Sequence, residues 1–217
     1  TTNSADLAWT AGGTETQWNI QYGAAGFAPG TGTIVNVSTN PYTLTGLTAA
    51  TPYDYWVQAV CGSDSSSYAG PFTFGTSCNA SLAPTNETFD AGFSVCWSQD
   101  GNDDFDWSVD ALGTPSGGTG PSDDFTGGGN YMYTEASLPR AHGDVATMYS
   151  EVIDISGLTN PELRFLNHMY GTAIGTLSVD LWDASTGTNL ATVFTHSGDR
   201  GNQWNEELIM LSTTATN

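Results

Sequence analysis

Apolar side chains recur at every second position in most segments of this chain that could form regular structure. Tyr53, Tyr55, Val57 and Ala59 follow this pattern along the longest of them. A period of two places side chains on one face of a β-strand, whereas an amphipathic helix needs apolar residues three and four apart. No window sustains the helical spacing between a cap and a stop signal. We therefore expect an all-β fold.

The charge balance restricts the partners of the chain. It carries 23 acidic residues against three arginines and no lysine, a formal charge of -20. Phosphate contacts need a basic surface, so nucleic acid is not expected as a partner. Aromatic residues make up 12% of the chain, which favours a folded core over disorder. No apolar run reaches the roughly 18 residues of a membrane-spanning helix, so insertion into a membrane is not expected.

The first part of the chain predicts a series of short strands. Ala5, Leu7 and Trp9 share one strand face, and Gly12-Gly13 ends that strand. Further apolar positions with strand spacing are Trp18, Ile20 and Tyr22, then Ile34 to Val37, Tyr42 and Leu44, and Phe72 and Phe74. Trp56 lies out of phase with the predicted buried set, so its side chain can face solvent.

This pattern resembles a fibronectin type III domain over residues 1–77. The resemblance rests on Trp9, on Trp18-x-Ile20-x-Tyr22, and on Leu47 followed by Thr51-Pro52-Tyr53-x-Tyr55-x-Val57. Leu47 and Tyr53 match that family's tyrosine corner, in which the tyrosine hydroxyl fixes a loop to the sandwich. The family's first strand has no counterpart before Ala5, so this domain is expected to lack it. The resemblance implies an Ig-like β-sandwich that acts as a spacer or an adhesive module.

Residues 78–217 carry a second and denser signature. Its pieces occur in the order Phe89-Asp90, Cys96-Trp97-x-Gln99-Asp100, Asp103 to Trp107, Asp124-Phe125, Tyr131 to Glu135, Leu163-Arg164-Phe165, His168-Met169-Tyr170-Gly171 and Trp204. This order and spacing resembles a MAM domain, a jelly-roll sandwich found in extracellular adhesion and protease proteins. Glu87 and Phe125 replace a family cysteine and a family histidine, and the family's closing strand is expected to be missing before Asn217. The pairing of the two modules resembles large secreted or surface proteins of Bacteroidetes.

Acidic side chains in the second segment suggest a structural calcium ion. Asp100-x-Asn102-x-Asp104-x-Asp106 places an oxygen-bearing side chain at every second residue, a spacing that lets several of them converge on a hard cation. The MAM resemblance implies a cation role for Asp90, Asp104, Asp106 and Asp124. The alternative is that these carboxylates cap turns by accepting hydrogen bonds from backbone N–H groups.

The cysteine pairing follows from the two resemblances. In a fibronectin-type sandwich Cys61 lies near the turn of the last hairpin and Cys78 lies beyond its open end. Linked Cα atoms lie within about 7 Å of each other, so this placement separates the two. We expect Cys78 to pair with Cys96, and Cys61 to pair with a cysteine outside this segment. A Cys61–Cys78 bridge remains the alternative.

Catalytic motifs are missing from the sequence. His142, His168 and His196 stand alone, and neither H-E-x-x-H, C-x-x-C nor G-x-S-x-G occurs. Acidic pairs are so common in this chain that no glycosidase dyad can be singled out. We therefore expect no enzymatic activity from this segment.

Exposed aromatic residues leave two functions open. Leu177, Val179 and Leu181 predict a buried strand face, which turns Asp180 and Trp182 outward. Trp182 with Asp180 is the kind of platform on which a sugar stacks, and Tyr131 and Tyr133 offer similar faces; the alternative is that a loop or a neighbouring module covers Trp182.

The first function is a non-catalytic adhesion or spacer segment of a larger extracellular or cell-surface protein, with neighbouring modules or further copies as partners. The second is a carbohydrate-binding module attached to a secreted hydrolase, with a polysaccharide as ligand.

Overall fold

The computed structural model describes residues 1–211, which form strands and no helix. The chain divides into two compact units, Thr1–Asn79 and Ala80–Asn217. The all-β fold predicted from the alternating pattern is confirmed, because every regular element of the described residues is a strand. Within that part of the chain no helix has the length and apolar character needed to cross a lipid bilayer.

The first unit contains seven strands in two sheets. They are β1 Ser4–Leu7, β2 Trp18–Ala24, β3 Thr33–Val37, β4 Tyr42–Thr45, β5 Pro52–Cys61, β6 Asp64–Ser65 and β7 Ala69–Gly75. The smaller sheet pairs β1 with β4, and the larger has the order β3-β2-β5, with β7 and β6 following each other along the free side of β5. All these pairings are antiparallel. Strand β5 is therefore the centre of the larger sheet.

The core of the first unit consists of the apolar positions that alternation predicts. Its buried members are Leu7, Trp18, Ile20, Val37, Leu44, Leu47, Tyr55 and Val57. Leu7 and Leu44 come from the smaller sheet, whereas Ile20 and Val57 come from the larger. Burying large aliphatic and aromatic side chains from both sheets stabilises the sandwich, at roughly 1.5–3 kcal/mol for each fully buried side chain.

The predicted tyrosine corner is present. The Tyr53 hydroxyl oxygen accepts a hydrogen bond from the backbone N–H of Thr48 at 3.0 Å. Thr48 follows Leu47, which is buried in the core. The bond ties the loop between β4 and β5 to the start of β5, as the resemblance to fibronectin type III domains implies.

The described residues of the second unit, 80–211, form ten strands, of which four are long. The strands are β8 Ser81–Leu82, β9 Ser98–Gln99, β10 Ser108–Ala111, β11 Asn130–Tyr133, β12 Met148–Tyr149, β13 Ile153–Asp154, β14 Glu162–His168, β15 Thr176–Asp183, β16 Thr188–Ser197 and β17 Trp204–Met210. They pair as β10-β11, β12-β9, β14-β17 and β15-β16 in antiparallel fashion, and as β13-β8 in parallel.

Two long antiparallel strand pairs, β14-β17 and β15-β16, face each other in this unit. Along β15, Leu177, Val179 and Leu181 are partly buried while the residues between them are exposed, as predicted. Phe165 of β14 packs edge-to-face on Phe194 of β16, with ring centroids 5.2 Å apart. This contact places the two strand pairs face to face, which is the layered arrangement of a β-sandwich.

The two predictions about missing terminal strands stay predictions. The first concerns chain before Thr1, which the given sequence does not contain. The second concerns the end of the chain after β17, where residues 212–217 lie outside the described residues.

Candidate functional site

Two of the four carboxylates predicted to hold calcium lie together around Gly129. A Cβ atom on Gly129 would stand 2.9 Å from Asp124 Oδ2 and closer still to Asp90 Oδ1. Asp90 Oδ1 accepts the backbone N–H of Asn130 at 2.9 Å, and Asp124 Oδ1 accepts that of Gly129 at 2.8 Å. We call Asp90 and Asp124 the carboxylate pair. Only glycine allows both carboxylates to approach the backbone here.

Hydrogen bonds keep Asp124 ionised. Its Oδ2 accepts the hydroxyl of Thr126 at 2.6 Å and the backbone N–H of the same residue at 2.9 Å. The bond from the Thr126 side chain, followed by the bond from the Gly129 backbone, lowers the pKa of Asp124 to about 2. A carboxylate that stays charged across the physiological range suits both a turn cap and a cation ligand.

The other two predicted ligands, Asp104 and Asp106, lie in a separate loop. We call residues 100–106 the acidic loop. Asp104 and Val145 form two hydrogen bonds. The backbone N–H of Val145 donates to Asp104 Oδ2 at 2.8 Å, and the backbone N–H of Asp104 donates to the carbonyl oxygen of Val145 at 3.0 Å. Asp106 is exposed. The acidic loop and Arg140 line an open depression, in which Arg140 lies 4.7 Å from the centroid of the Phe105 ring.

Several of the acidic side chains act as turn caps. Asp100 Oδ1 accepts the backbone N–H of Asn102 at 3.0 Å, and its Oδ2 accepts the Tyr149 hydroxyl at 3.0 Å. These bonds lower the pKa of Asp100, the Asn102 backbone bond most strongly. Among residues 1–211 no group of three or more His, Cys, Asp or Glu side chains is arranged to hold a metal ion. The four predicted ligands therefore fall into two separate groups, the carboxylate pair and two residues of the acidic loop.

Trp182 is exposed, as predicted from the alternation along β15. It keeps 45% of its surface accessible and packs edge-to-face on Tyr149 with ring centroids 5.7 Å apart. Asp180 is exposed on the same strand face. On the neighbouring strand β16 the same face presents hydroxyl groups. Ser197 Oγ of β16 lies 2.7 Å from Thr176 Oγ1 of β15. Trp182 thus stands at one end of a polar surface, which we call the Trp182 face.

Tyr131 does not offer the stacking face expected of it. It is 5% exposed, because it packs edge-to-face on Trp204 with ring centroids 5.8 Å apart. Its hydroxyl donates to the carbonyl of Leu112 at 2.9 Å. Burial, with smaller contributions from neighbouring acidic groups that include Asp110, raises the pKa of Tyr131 to about 12. Tyr133 packs edge-to-face beside Tyr131 and is partly buried, so only Tyr131 belongs to the interior of the unit.

Comparison with known protein families agrees with the order of the two units. A model of the "MAM domain, meprin/A5/mu" matches residues 88–217, which is more than half of the chain. The chain belongs to the MAM domain family. A model of the fibronectin type III domain matches residues 1–74, in front of the MAM domain. The sequence-based prediction of these two module types, in this order, is confirmed.

Curated relatives are similar to this chain over about half of its length. MAM domain-containing glycosylphosphatidylinositol anchor protein 2 of Mus musculus is 37% identical over 131 residues, covering 54% of this chain and 14% of that protein. Neuropilin-1 of Xenopus laevis is 36% identical over 122 residues, covering 56% of this chain and 12% of that protein. The chain thus spans about one seventh or less of these relatives.

The cysteines of the chain differ in state. Cys78 and Cys96 are disulfide-bonded, whereas Cys61 is free and exposed. With three cysteines in the chain, the two bonded residues pair with each other, as the MAM resemblance implied. The alternative Cys61–Cys78 bridge is absent from the structure.

The MAM domain contains a charged network around Arg200. Arg200 donates from Nη1 to Glu207 and to Asn167 Oδ1, the latter at 3.1 Å, and Asn167 Nδ2 donates to Glu207 Oε1 at 3.2 Å. Asn167 is only 5% exposed. In a chain with three arginines and 23 acidic residues, each arginine is expected to have a carboxylate partner. For Arg200 that partner is Glu207.

Proposed function

We propose that this chain is a non-catalytic adhesion or spacer segment of a larger extracellular or cell-surface protein. The observation that carries the proposal is the tandem of a fibronectin type III match and a MAM match, on a chain that spans only part of its relatives. One of those relatives is named as a glycosylphosphatidylinositol anchor protein, a class attached to the outer face of a membrane. The disulfide between Cys78 and Cys96 also suits an oxidising compartment.

The adhesive part of this proposal can be tested with coated beads. Beads carrying the purified chain are mixed either with each other or with beads carrying no protein, with and without calcium. Clustering of coated beads alone supports adhesion between copies of the chain. If the beads stay dispersed in both conditions, the chain does not adhere to itself, and the spacer function is the one that remains.

We further propose a structural calcium ion at the carboxylate pair. The support is the approach of Asp90 and Asp124 to one glycine and the low pKa of Asp124. Two carboxylates supply only part of the six to eight oxygen ligands that calcium takes, so backbone carbonyl groups and water would complete the set. In a chain of net charge -20, a cation at this place would also relieve repulsion between carboxylates.

The calcium proposal predicts a dependence of thermal stability on the ion. Calcium at about 100 times its Kd stabilises a folded domain by about 2.7 kcal/mol, so calcium should raise the Tm and EDTA should lower it. Asp90→Asn and Asp124→Asn should each abolish the calcium-dependent shift in Tm. Asp106→Asn measures whether the acidic loop contributes, and Asp180→Asn on the Trp182 face is the control that keeps the shift. An unchanged Tm in calcium and in EDTA would remove the ion from the proposal.

A second candidate function is carbohydrate binding at the Trp182 face. The observation that favours it is the 45% exposure of the Trp182 ring beside the exposed Asp180. An indole face stacks on the apolar face of a sugar, and carboxylate and hydroxyl groups bond to sugar hydroxyls. Affinity electrophoresis through gels that contain soluble polysaccharides tests it. Retardation that is lost in Trp182→Ala and kept in Leu190→Ala, an exposed residue of β16, would support the candidate.

A further inference from the structure

Gln21 and Trp56 are direct cross-strand neighbours on the face of the larger sheet that points away from the core. Strands β2 and β5 pair with Gln21 opposite Trp56. Ile20 and Val57, the residues beside them in sequence, point into the core, so alternation turns Gln21 and Trp56 to the other side. Yet Gln21 has no exposed surface, and the indole Nε1 of Trp56 is buried. The Trp56 side chain is partly buried, so it faces solvent only in part.

A glycine-rich loop explains why this outer face is buried. We call residues 25–32 the covering loop. Gly30 donates its backbone N–H to Gln21 Oε1 at 2.7 Å, and Gly26 donates its N–H to Asp54 Oδ2 at 2.7 Å. A Cβ atom on Gly32 would come within 3.0 Å of Gln21 Cγ. The covering loop is therefore held on the sheet by two buried acceptors of β2 and β5.

The bond from Gly30 fixes the orientation of the Gln21 amide. If the amide were rotated by half a turn, its NH₂ group would face the N–H of Gly30, and two donors would meet. The Oε1 atom must point to the covering loop, which leaves Nε2 to find an acceptor elsewhere. Among residues 1–211 Nε2 of Gln21 has no hydrogen-bond partner, and neither has Nε1 of Trp56.

The six-membered ring of Trp56 lies beside β7, on the side of β5 opposite to β2. A Cβ atom on Gly70 of β7 would lie 3.2 Å from Trp56 Cε3, which places the six-membered ring against β7. Strand β5 lies between β7 and β2. Cε3 and Nε1 are on opposite edges of an indole, so the N–H edge points away from Gly70, and Gln21 of β2 is the residue opposite Trp56.

We propose that one buried water molecule bridges Gln21 Nε2 and Trp56 Nε1 beneath the covering loop. Burying two donors without an acceptor costs several kcal/mol, and cross-strand neighbours lie close enough for one oxygen to serve both. A water oxygen accepts two hydrogen bonds and donates two, and buried waters typically make about three bonds to groups of this kind. An anion would also accept from both donors, but the carboxylate of Asp54, two residues before Trp56, and the net charge of -20 disfavour it.

Water contacts of the indole protons test this proposal in the full chain. In ¹⁵N-labelled protein, the Trp56 indole proton should show a cross-peak to a long-lived water, identified by its loss in Trp56→Phe. The Trp182 indole proton, which belongs to an exposed side chain, should show only rapid exchange with bulk solvent. A crystal grown with sodium bromide should show a water oxygen within hydrogen-bond distance of both nitrogens. A missing cross-peak, a protein oxygen at that position or an anomalous bromide peak there would each overturn the proposal.

Discussion

The guanidinium of Arg200 donates a hydrogen bond to the carboxylate of Glu207, and each side chain is at least three quarters shielded from solvent. Arg164 and Glu206 form the second ion pair of the described residues, at 3.3 Å, with both side chains more than half exposed. The two carboxylates are neighbours, since Glu206 and Glu207 are adjacent in β17; Arg164 lies on β14, whereas Arg200 lies in the segment before β17. They therefore offer an internal comparison of a shielded and an exposed arginine.

Replacing Arg200 by Gln should destabilise the MAM domain more than the same change at Arg164. Hydrogen bonds to charged groups contribute about 1.5–3 kcal/mol, and Arg200→Gln removes the guanidinium donor from both Glu207 Oε1 and Asn167 Oδ1. Arg164→Gln removes an exposed pair worth less than about 1 kcal/mol. Urea unfolding of both variants measures the difference in the free energy of unfolding. Equal losses of unfolding free energy in the two variants would mean that shielding from solvent does not strengthen the Arg200–Glu207 pair.

The tyrosine corner of the first unit predicts a loss of stability without a change of fold. Tyr53→Phe removes the acceptor for the Thr48 N–H and should lower the free energy of unfolding by about 1 kcal/mol. Tyr42→Phe is the control, because the Tyr42 hydroxyl has no described hydrogen bond and its ring likewise packs at the edge of the core. Chemical denaturation of the two variants checks the prediction. A Tyr53→Phe protein as stable as Tyr42→Phe would show that the bond is worth nothing net.

The low pKa of Asp124 predicts sensitivity to acid. An ordinary aspartate in an unfolded chain titrates near pH 3.9, whereas hydrogen bonds lower the pKa of Asp124 to about 2 in the fold. The stabilisation from this carboxylate is therefore complete above the unfolded pKa, and it is lost as the pH falls from about 4 to about 2.

Asp124→Asn should flatten that part of the stability curve, measured by urea unfolding at a series of pH values. Asp106→Asn, at an exposed position of the acidic loop, should leave the slope as in the unmodified chain. If the slope survives in Asp124→Asn, other groups account for the acid sensitivity.

Thiol chemistry distinguishes the three cysteines. Without reductant, iodoacetamide should alkylate Cys61, and a digest should contain one peptide pair linked through Cys78 and Cys96. Mass spectrometry of the non-reduced digest reads both outcomes. The disulfide closes the loop between Cys78 and Cys96, and closing a loop of that length stabilises a fold by about 3 kcal/mol. Reduction should therefore lower the Tm of the chain. A peptide pair that joins Cys61 to Cys78 would contradict this assignment.

Alternation identified strands in both units because strands such as β5 and β15 turn their alternating apolar side chains inward. Tyr55 and Val57 on β5, and Leu177 and Val179 on β15, lie on the faces that the pattern predicts. The exposure of Trp182 follows from the same argument. Trp56, which periodicity assigns to solvent, is partly buried, and the covering loop bonds to Gln21 and Asp54 on the same face of the sheet. A period of two fixes the face of a strand and contains no information on what covers that face.

The MAM resemblance grouped Asp90 and Asp124 in one cation site, whereas local residue spacing does not predict their approach. Asp90 and Asp124 are far apart in the chain, and they meet only because a glycine with no Cβ stands between them. Likewise, the Tyr149 hydroxyl bonds to Asp100 across 49 positions. In a chain with 23 acidic residues, many carboxylates fit a local pattern. Only tertiary contacts decide which become turn caps and which remain available to a cation.

Strand β5 pairs with three other strands, β2, β6 and β7, and supplies Tyr55 and Val57 to the core. Its backbone N–H groups bond to neighbours on both sides, so complete exchange of this strand with deuterium requires both neighbours to open. Strands β1, β3 and β4 each pair with a single strand. The fibronectin type III unit should therefore open first at its edge strands. The middle of β5 should be the last segment to lose protection from hydrogen exchange.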